Sequence, residues 1–202
     1  MSDAVLVSTG TANLASVRAG LRRAGVNVRL AEEPDDVTTA SRVVLPGVGS
    51  FGAAMGSIDR QGIRRALTDY VADERPLLAI CLGMQLLCDS SEESPGVKGL
   101  GILGARIRRF PETVKVPQLG WNEIEPDGET GVLNPGWVYF ANSYRLETIP
   151  NGWSGATAKY GGDFVAALER GVQLACQFHP ELSGPWGTEL IRSWVDRTAR
   201  AV

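Results

Sequence analysis

Short apolar runs alternate with amphipathic stretches over the first half of this chain. Ala4-Val-Leu-Val7 is an apolar strand that ends in the turn residues Ser8-Thr-Gly-Thr11. Leu14, Val17, Leu21 and Ala24 then recur at helical spacing with arginines opposite, which predicts an amphipathic helix. Residues 26–30 alternate as a strand, and residues 42–45 read as another. From about residue 53 to 73 the pattern is one helical stretch, closed by Pro76. Leu77-Leu-Ala-Ile80 follows, wholly apolar, as in strands covered on both faces of a parallel sheet. This βαβα order predicts an α/β fold, a mostly parallel central sheet with helices on both faces.

The rhythm changes after about residue 100. Short alternating segments at 105–110, 137–140, 164–168 and 172–178 are separated by Gly, Pro and Asn turns. They predict antiparallel additions to the sheet in the C-terminal half. Gly184-Pro-Trp-Gly-Thr188 opens a last helix, with Pro185 near its first position. No linker, repeat or low-complexity tract interrupts the pattern, so one domain over residues 1–202 is expected.

Composition narrows the class. Of 202 residues, 44% are hydrophobic and 21% charged, enough to bury a sizeable core. The net charge is −3 and the arginines are scattered, which argues against a nucleic-acid partner. No apolar run approaches the roughly 18–20 residues of a membrane span. The start, MSDAVLVSTG, lacks the basic region and cleavage site of an export signal. Three cysteines, an odd number, then read as cytosolic thiols and point to a cytoplasmic protein. The single histidine, with no C-x-x-C or H-x-x-x-H pair, leaves no metal site and no cofactor to expect. An imidazole base, if one is used, is His179.

The candidate chemistry starts at Cys81. An apolar strand runs into it, Gly83 follows, and a helix-like segment takes over, the order of a nucleophile elbow. A following helix N-terminus favours the thiolate, and Gly83 would leave room for a substrate. A buried core cysteine fits the same segment equally well. Strand alternation puts Leu174, Cys176 and Phe178 on one face and Gln177 and His179 on the other. Pro180 restricts His179 to extended conformations, and an extended backbone would set Glu181 on the same side as the ring. A carboxylate there orients the imidazole as a base toward a thiol. Alone, His-x-Glu also fits a structural histidine; its value lies in the elbow elsewhere in the chain. Gly47-x-Gly49-x-x-Gly52 formally matches a dinucleotide fingerprint, but Pro46 intervenes and the unit is not the first strand–helix turn. Its backbone amides would instead serve an oxyanion.

Ile80-Cys-Leu-Gly-Met-Gln85 together with Gln177-Phe-His-Pro-Glu181 resembles the class I glutamine amidotransferases, which use a Cys–His–Glu triad. Further stretches resemble one branch of that class, the glutaminase subunits of imidazole glycerol phosphate synthases. They are Gly10-Thr-Ala-Asn-Leu-Ala-Ser-Val17, Pro46-Gly-Val-Gly49, Pro117-Gln-Leu-Gly-Trp-Asn122, Tyr139-Phe-Ala-Asn-Ser-Tyr144 and Pro180-Glu-Leu-Ser-Gly184. The resemblance implies the single-domain amidotransferase fold, with Cys81 as nucleophile, His179 as base and Glu181 as its orienter. It implies an oxyanion site at Gly49 and the Leu82 amide, and a glutamine site at Gln85, Glu93, Ser143 and Tyr144. Departures are Asn142 where the branch often has His, Leu182 where it usually has Lys, and Ser8-Thr9 in place of Asp-Tyr.

The implied reaction releases ammonia from L-glutamine. Ammonia is mostly protonated at neutral pH, so a protected route to a synthase is needed, and this chain has no residues left over for one. The resemblance therefore implies a heterodimer with a cyclase subunit, which forms imidazole glycerol phosphate in histidine biosynthesis. The other readings are an amidotransferase subunit serving another synthase, such as anthranilate synthase, a stand-alone thiol peptidase, or a non-catalytic binding module. The glycine loop is expected to gate the site by a peptide flip at Gly47 or Gly49, with Asn142 holding the inactive form through a side-chain hydrogen bond.

Overall fold

The computed structural model describes residues 2–10 and 14–199. Of the turn expected at Ser8-Thr-Gly-Thr11, Thr11 lies outside them. Five strands form the parallel half of a nine-stranded sheet. These are β1 (Ser2–Leu6), β2 (Val26–Leu30), β3 (Val43–Leu45), β4 (Leu77–Ile80) and β12 (Gln173–Cys176), in the spatial order β2-β1-β3-β4-β12. Four antiparallel strands continue it: β11 (Asp163–Arg170), β10 (Ser154–Lys159), β7 (Gln118–Asp127) and, at the edge, β8 (Gly136–Asn142). A small second sheet joins β5 (Ser90–Ser91), β6 (Arg106–Arg109) and β9 (Tyr144–Arg145).

Helices cover both faces. On one, α1 (Leu14–Arg23) and α6 (Gly184–Ala199) bury Val17, Leu21, Ile191 and Trp194 against Leu6, Ile80 and Cys176. On the other, α3 (Phe51–Arg60) and α4 (Arg64–Ala72) bury Phe51, Met55, Ile58 and Leu67 against Leu45 and Ala79. The short α2 (Pro34–Thr38) and α5 (Leu82–Leu86) complete the set. Strands β3, β4 and β12 are buried at every position, as apolar strands between two helical layers should be.

The expected single helical stretch from 53 to 73 is two helices. Gly62, with φ +67, ends α3 and turns the chain into α4. Strands β7 and β10 were not expected. Alternation is weak in β7, which carries Gly120, Asn122 and Pro126 within its span.

Candidate active site

Cys81 lies where β4 turns into α5. Its φ of +53 is rare for a residue with a side chain, and it gives the sharp turn that lifts the thiol off the sheet edge. Neighbours hold the strained residue in place: its N–H donates to the Cys176 carbonyl at 2.6 Å, and its carbonyl accepts from the Gln85 N–H at 3.3 Å. Gly83 is needed because a Cβ there would overlap the Leu45 carbonyl oxygen. The space expected for substrate beside Gly83 is thus taken by β3, which α5 must approach closely.

Register brings the second motif to the thiol. Strand β12 runs parallel to β4 with Cys176 opposite Ile80, so the residues just past both strands meet at one carboxyl edge. Such edges are where α/β sheets place their ligands. Two backbone hydrogen bonds fix His179: its N–H donates to the Tyr139 carbonyl at 2.9 Å, and its carbonyl accepts from Ser183 Oγ at 2.7 Å. His179 is extended, as a residue before proline should be. Glu181 is not. Pro180–Leu182 forms a turn of 3-10 helix, and that turn, rather than an extended backbone, folds the carboxylate back onto the ring.

The resulting pair is close and buried. His179 Nδ1 and Glu181 Oε1 are 2.8 Å apart, and both side chains are buried. The ring also interacts with Cys81, which shares the cavity with it. Burial opposes a charge on the imidazole. The interactions with Cys81 and Glu181 outweigh it, and the imidazole pKa is pushed up to about 10. A thiol, a strongly basic imidazole and an orienting carboxylate in series can perform nucleophilic acyl transfer.

A cavity of about 260 Å³ opens over the thiol. Gly49, Cys81, Leu82, Gln85, Glu93, Ser143, Tyr144 and His179 all line it, so it gathers every expected site residue except Glu181, which stands behind the ring. Glu93 is held at the start of α3, where its Oε2 accepts from the Phe51 N–H at 2.6 Å. Gly49 has φ +95, closed to most residues. Gly47 is required by space instead, since a Cβ would stand 2.7 Å from Leu82 Cβ. The Leu82 N–H, expected to face an oxyanion, donates to the Gly47 carbonyl at 3.3 Å. Asn142 does not tie down this loop. Its Nδ2 donates to the Tyr144 carbonyl at 3.0 Å, and its Oδ1 is buried without a hydrogen-bond partner among the described residues.

A family model described as glutamine amidotransferase class-I matches residues 5–197. The chain belongs to this family. Among curated relatives, this class-I amidotransferase is 39% identical to the imidazole glycerol phosphate synthase subunit HisH of Symbiobacterium thermophilum, over 96% of the chain and 93% of that protein. It is also 39% identical to the subunit of the same name from Deinococcus radiodurans, covering 95% and 92%. The chloroplastic imidazole glycerol phosphate synthase hisHF of Arabidopsis thaliana matches at 39% over 96% of the chain, which spans 34% of that longer protein. Solved folds agree. A glutamine amidotransferase crystal structure superposes with a TM-score of 0.77 at 19% identity, covering 96% of this amidotransferase and 98% of that chain.

Sequence reasoning missed Gln177, whose amide lies 3.7 Å from Cys81 Sγ. Alternation had put it on the same face as His179. What it touches there could not be read, because its partner Gln85 is 92 positions away.

Proposed function

We propose that this amidotransferase is the glutaminase subunit of an imidazole glycerol phosphate synthase, releasing ammonia from L-glutamine for a separate cyclase subunit. The observation that carries the reading is the cavity over Cys81, which joins a thiol, an imidazole and a carboxylate suited to an amino-acid ammonium. In this reading Glu93 pairs with the α-ammonium of glutamine, while Gln85, Ser143 and Tyr144 line the rest of the substrate.

Cys81 Sγ attacks the side-chain amide carbon while His179 already holds the proton shared with the thiol. Backbone amides of Gly49 and Leu82 hold the tetrahedral oxyanion. The imidazolium, steadied by Glu181, gives its proton to the departing nitrogen, so ammonia leaves and a thioester remains. Water, deprotonated by His179, then releases glutamate and restores the thiol. Because the Leu82 N–H is bonded to the Gly47 carbonyl, the loop must move before that amide serves an oxyanion. We assign that movement to the partner's arrival.

Two features support a docked partner. A second cavity of about 170 Å³ meets His179 and Glu181 and is otherwise walled largely by apolar groups, Val17, Ile80, Ala141 and Leu182; in this reading it is the route by which neutral ammonia leaves. Beside it the edge of the sheet is bare. Leu119, Trp121, Trp137 and Leu182 are 68%, 53%, 57% and 45% exposed. Trp121 stacks edge-on with Tyr139 and reaches to within 3.9 Å of the Cβ position of Gly184. An apolar face around an exit is what a synthase seated on that exit would cover. Among the described residues no helix is long and apolar enough to cross a membrane.

The test is transfer of amide-¹⁵N from glutamine into the product of the reconstituted complex, with unlabelled ammonium in excess. Labelled product supports enclosed delivery to the cyclase, and product carrying the unlabelled nitrogen overturns it.

A further inference from the structure

Gln177 is completely buried beside the nucleophile, and none of the roles above uses it. It follows β12 directly, and its backbone N–H is fixed by the Ala166 carbonyl at 2.8 Å. Its side chain is not among the groups lining the substrate cavity.

The orientation of its amide follows from a chain of obligate donors and acceptors. The Tyr144 carbonyl can only accept, so the Gln85 group 3.2 Å from it must be the NH₂. That same Nε2 lies 2.9 Å from the Gln177 amide, whose facing atom must therefore be oxygen. The Gln177 NH₂ is thereby aimed at Cys81 Sγ, 3.7 Å away. The Ala141 carbonyl, 4.0 Å from the sulfur, accepts from the thiol only while it carries its proton. A side-chain amide N–H can only donate, so it binds the sulfur best when the proton is gone.

We propose that Gln177 is a positioning residue for the nucleophile. It anchors Cys81 Sγ over the cavity and favours its deprotonated form, and Gln85 ties this anchor to the Tyr144 wall of the substrate site. The proposal rests on the glutaminase reading for its catalytic consequence, but the contact itself does not depend on that reading.

The experiment is the pH profile of Cys81 alkylation by iodoacetamide, read by peptide mass spectrometry on the full chain, alongside steady-state glutaminase kinetics with the cyclase subunit. Gln177→Met removes the donor without adding charge. The alkylation profile is expected to move to higher pH, with kcat down about tenfold and KM within about twofold of wild type. Gln177→Glu keeps the acceptor for Gln85 and serves if the Met variant does not fold, with the same displacement expected. A folded variant whose alkylation profile superposes on wild type overturns the proposal, even if kcat falls, because packing alone would explain that. Unfolding of both variants overturns it too, by making Gln177 a core-filling residue. Alkylation needs no glutamine. A chain inactive toward glutamine would thus sink the functional reading while leaving the role of Gln177 decided.

Discussion

Gly20 of α1 lies directly against Glu181, so closely that a Cβ on Gly20 would overlap the glutamate's own Cβ. Arg23, one turn further along α1, donates to the Glu181 carbonyl at 2.8 Å. The first helix of the chain thus clamps the turn that carries the carboxylate, some 160 positions later.

Gly20→Ala should therefore damage activity more than stability. Alanine favours the helix by about 1 kcal/mol, which offsets part of the clash. The turn must still give way, and Glu181 moves off the His179 ring. We expect kcat to fall about tenfold or more with KM little changed, measured at saturating glutamine with the partner present. Wild-type kcat in a folded variant would show that this clamp is idle.

Cys81→Ala should separate the two halves of the reaction. Glutamine-dependent synthesis by the complex disappears, while synthesis from added ammonium salts continues, because the thiol acts only in ammonia release. Loss of both activities in a partner-bound variant would contradict this division.

The other thiols should be inert. Burial, aided by the neighbouring Asp89 charge, pushes the Cys88 thiol up to about 12. Burial likewise raises Cys176, with Glu181 and Glu169 adding to it. A glutamine analogue that alkylates thiols should mark Cys81 alone, and labelling chiefly at Cys88 would identify the wrong nucleophile here. Cys88→Ala should cost about 1–2 kcal/mol in chemical unfolding and spare turnover.

Stability should also report on His179. Its imidazole rises from an ordinary value of 6.5 to about 10 in the folded protein, with burial opposing and Cys81 and Glu181 driving the rise. Folding then favours the protonated form, so the contribution is complete below pH 6.5 and is lost as pH climbs toward 10. The lead of wild type over His179→Asn in unfolding free energy should narrow across that window. A lead that widens from pH 6.5 to 10 would reverse the sign and remove the ion pair from the account.

The parts of the site that follow from local pattern were legible in the sequence. The apolar run 77–80 followed by Cys81 and Gly83 had the order of an elbow, though a buried core cysteine fitted that segment equally well, and alternation in 172–178 separated the site face from the core face. What was not legible depends on contacts between distant segments. Gly83 makes way for Leu45 rather than for substrate, a fact set by how α5 packs on β3. Asn142 bonds Tyr144 rather than the glycine loop because β8 ends in a tight turn there. The 3-10 turn at Pro180–Leu182 left no clear mark in the sequence beyond the proline itself. Strand β7 escaped notice because it lies beside the edge strand and its exposed face carries Leu119 and Trp121, so apolar residues fall on both sides of the pleat.

The most direct test is steady-state release of glutamate from glutamine by the purified chain, alone and then with the cyclase subunit and an acceptor analogue. With the Leu82 N–H held by Gly47, the lone chain should turn over slowly. One oxyanion donor is worth about 100- to 1,000-fold, so the complex should be faster by that order. Equal turnover in both states would contradict partner gating, and no glutamate in either would contradict the function itself.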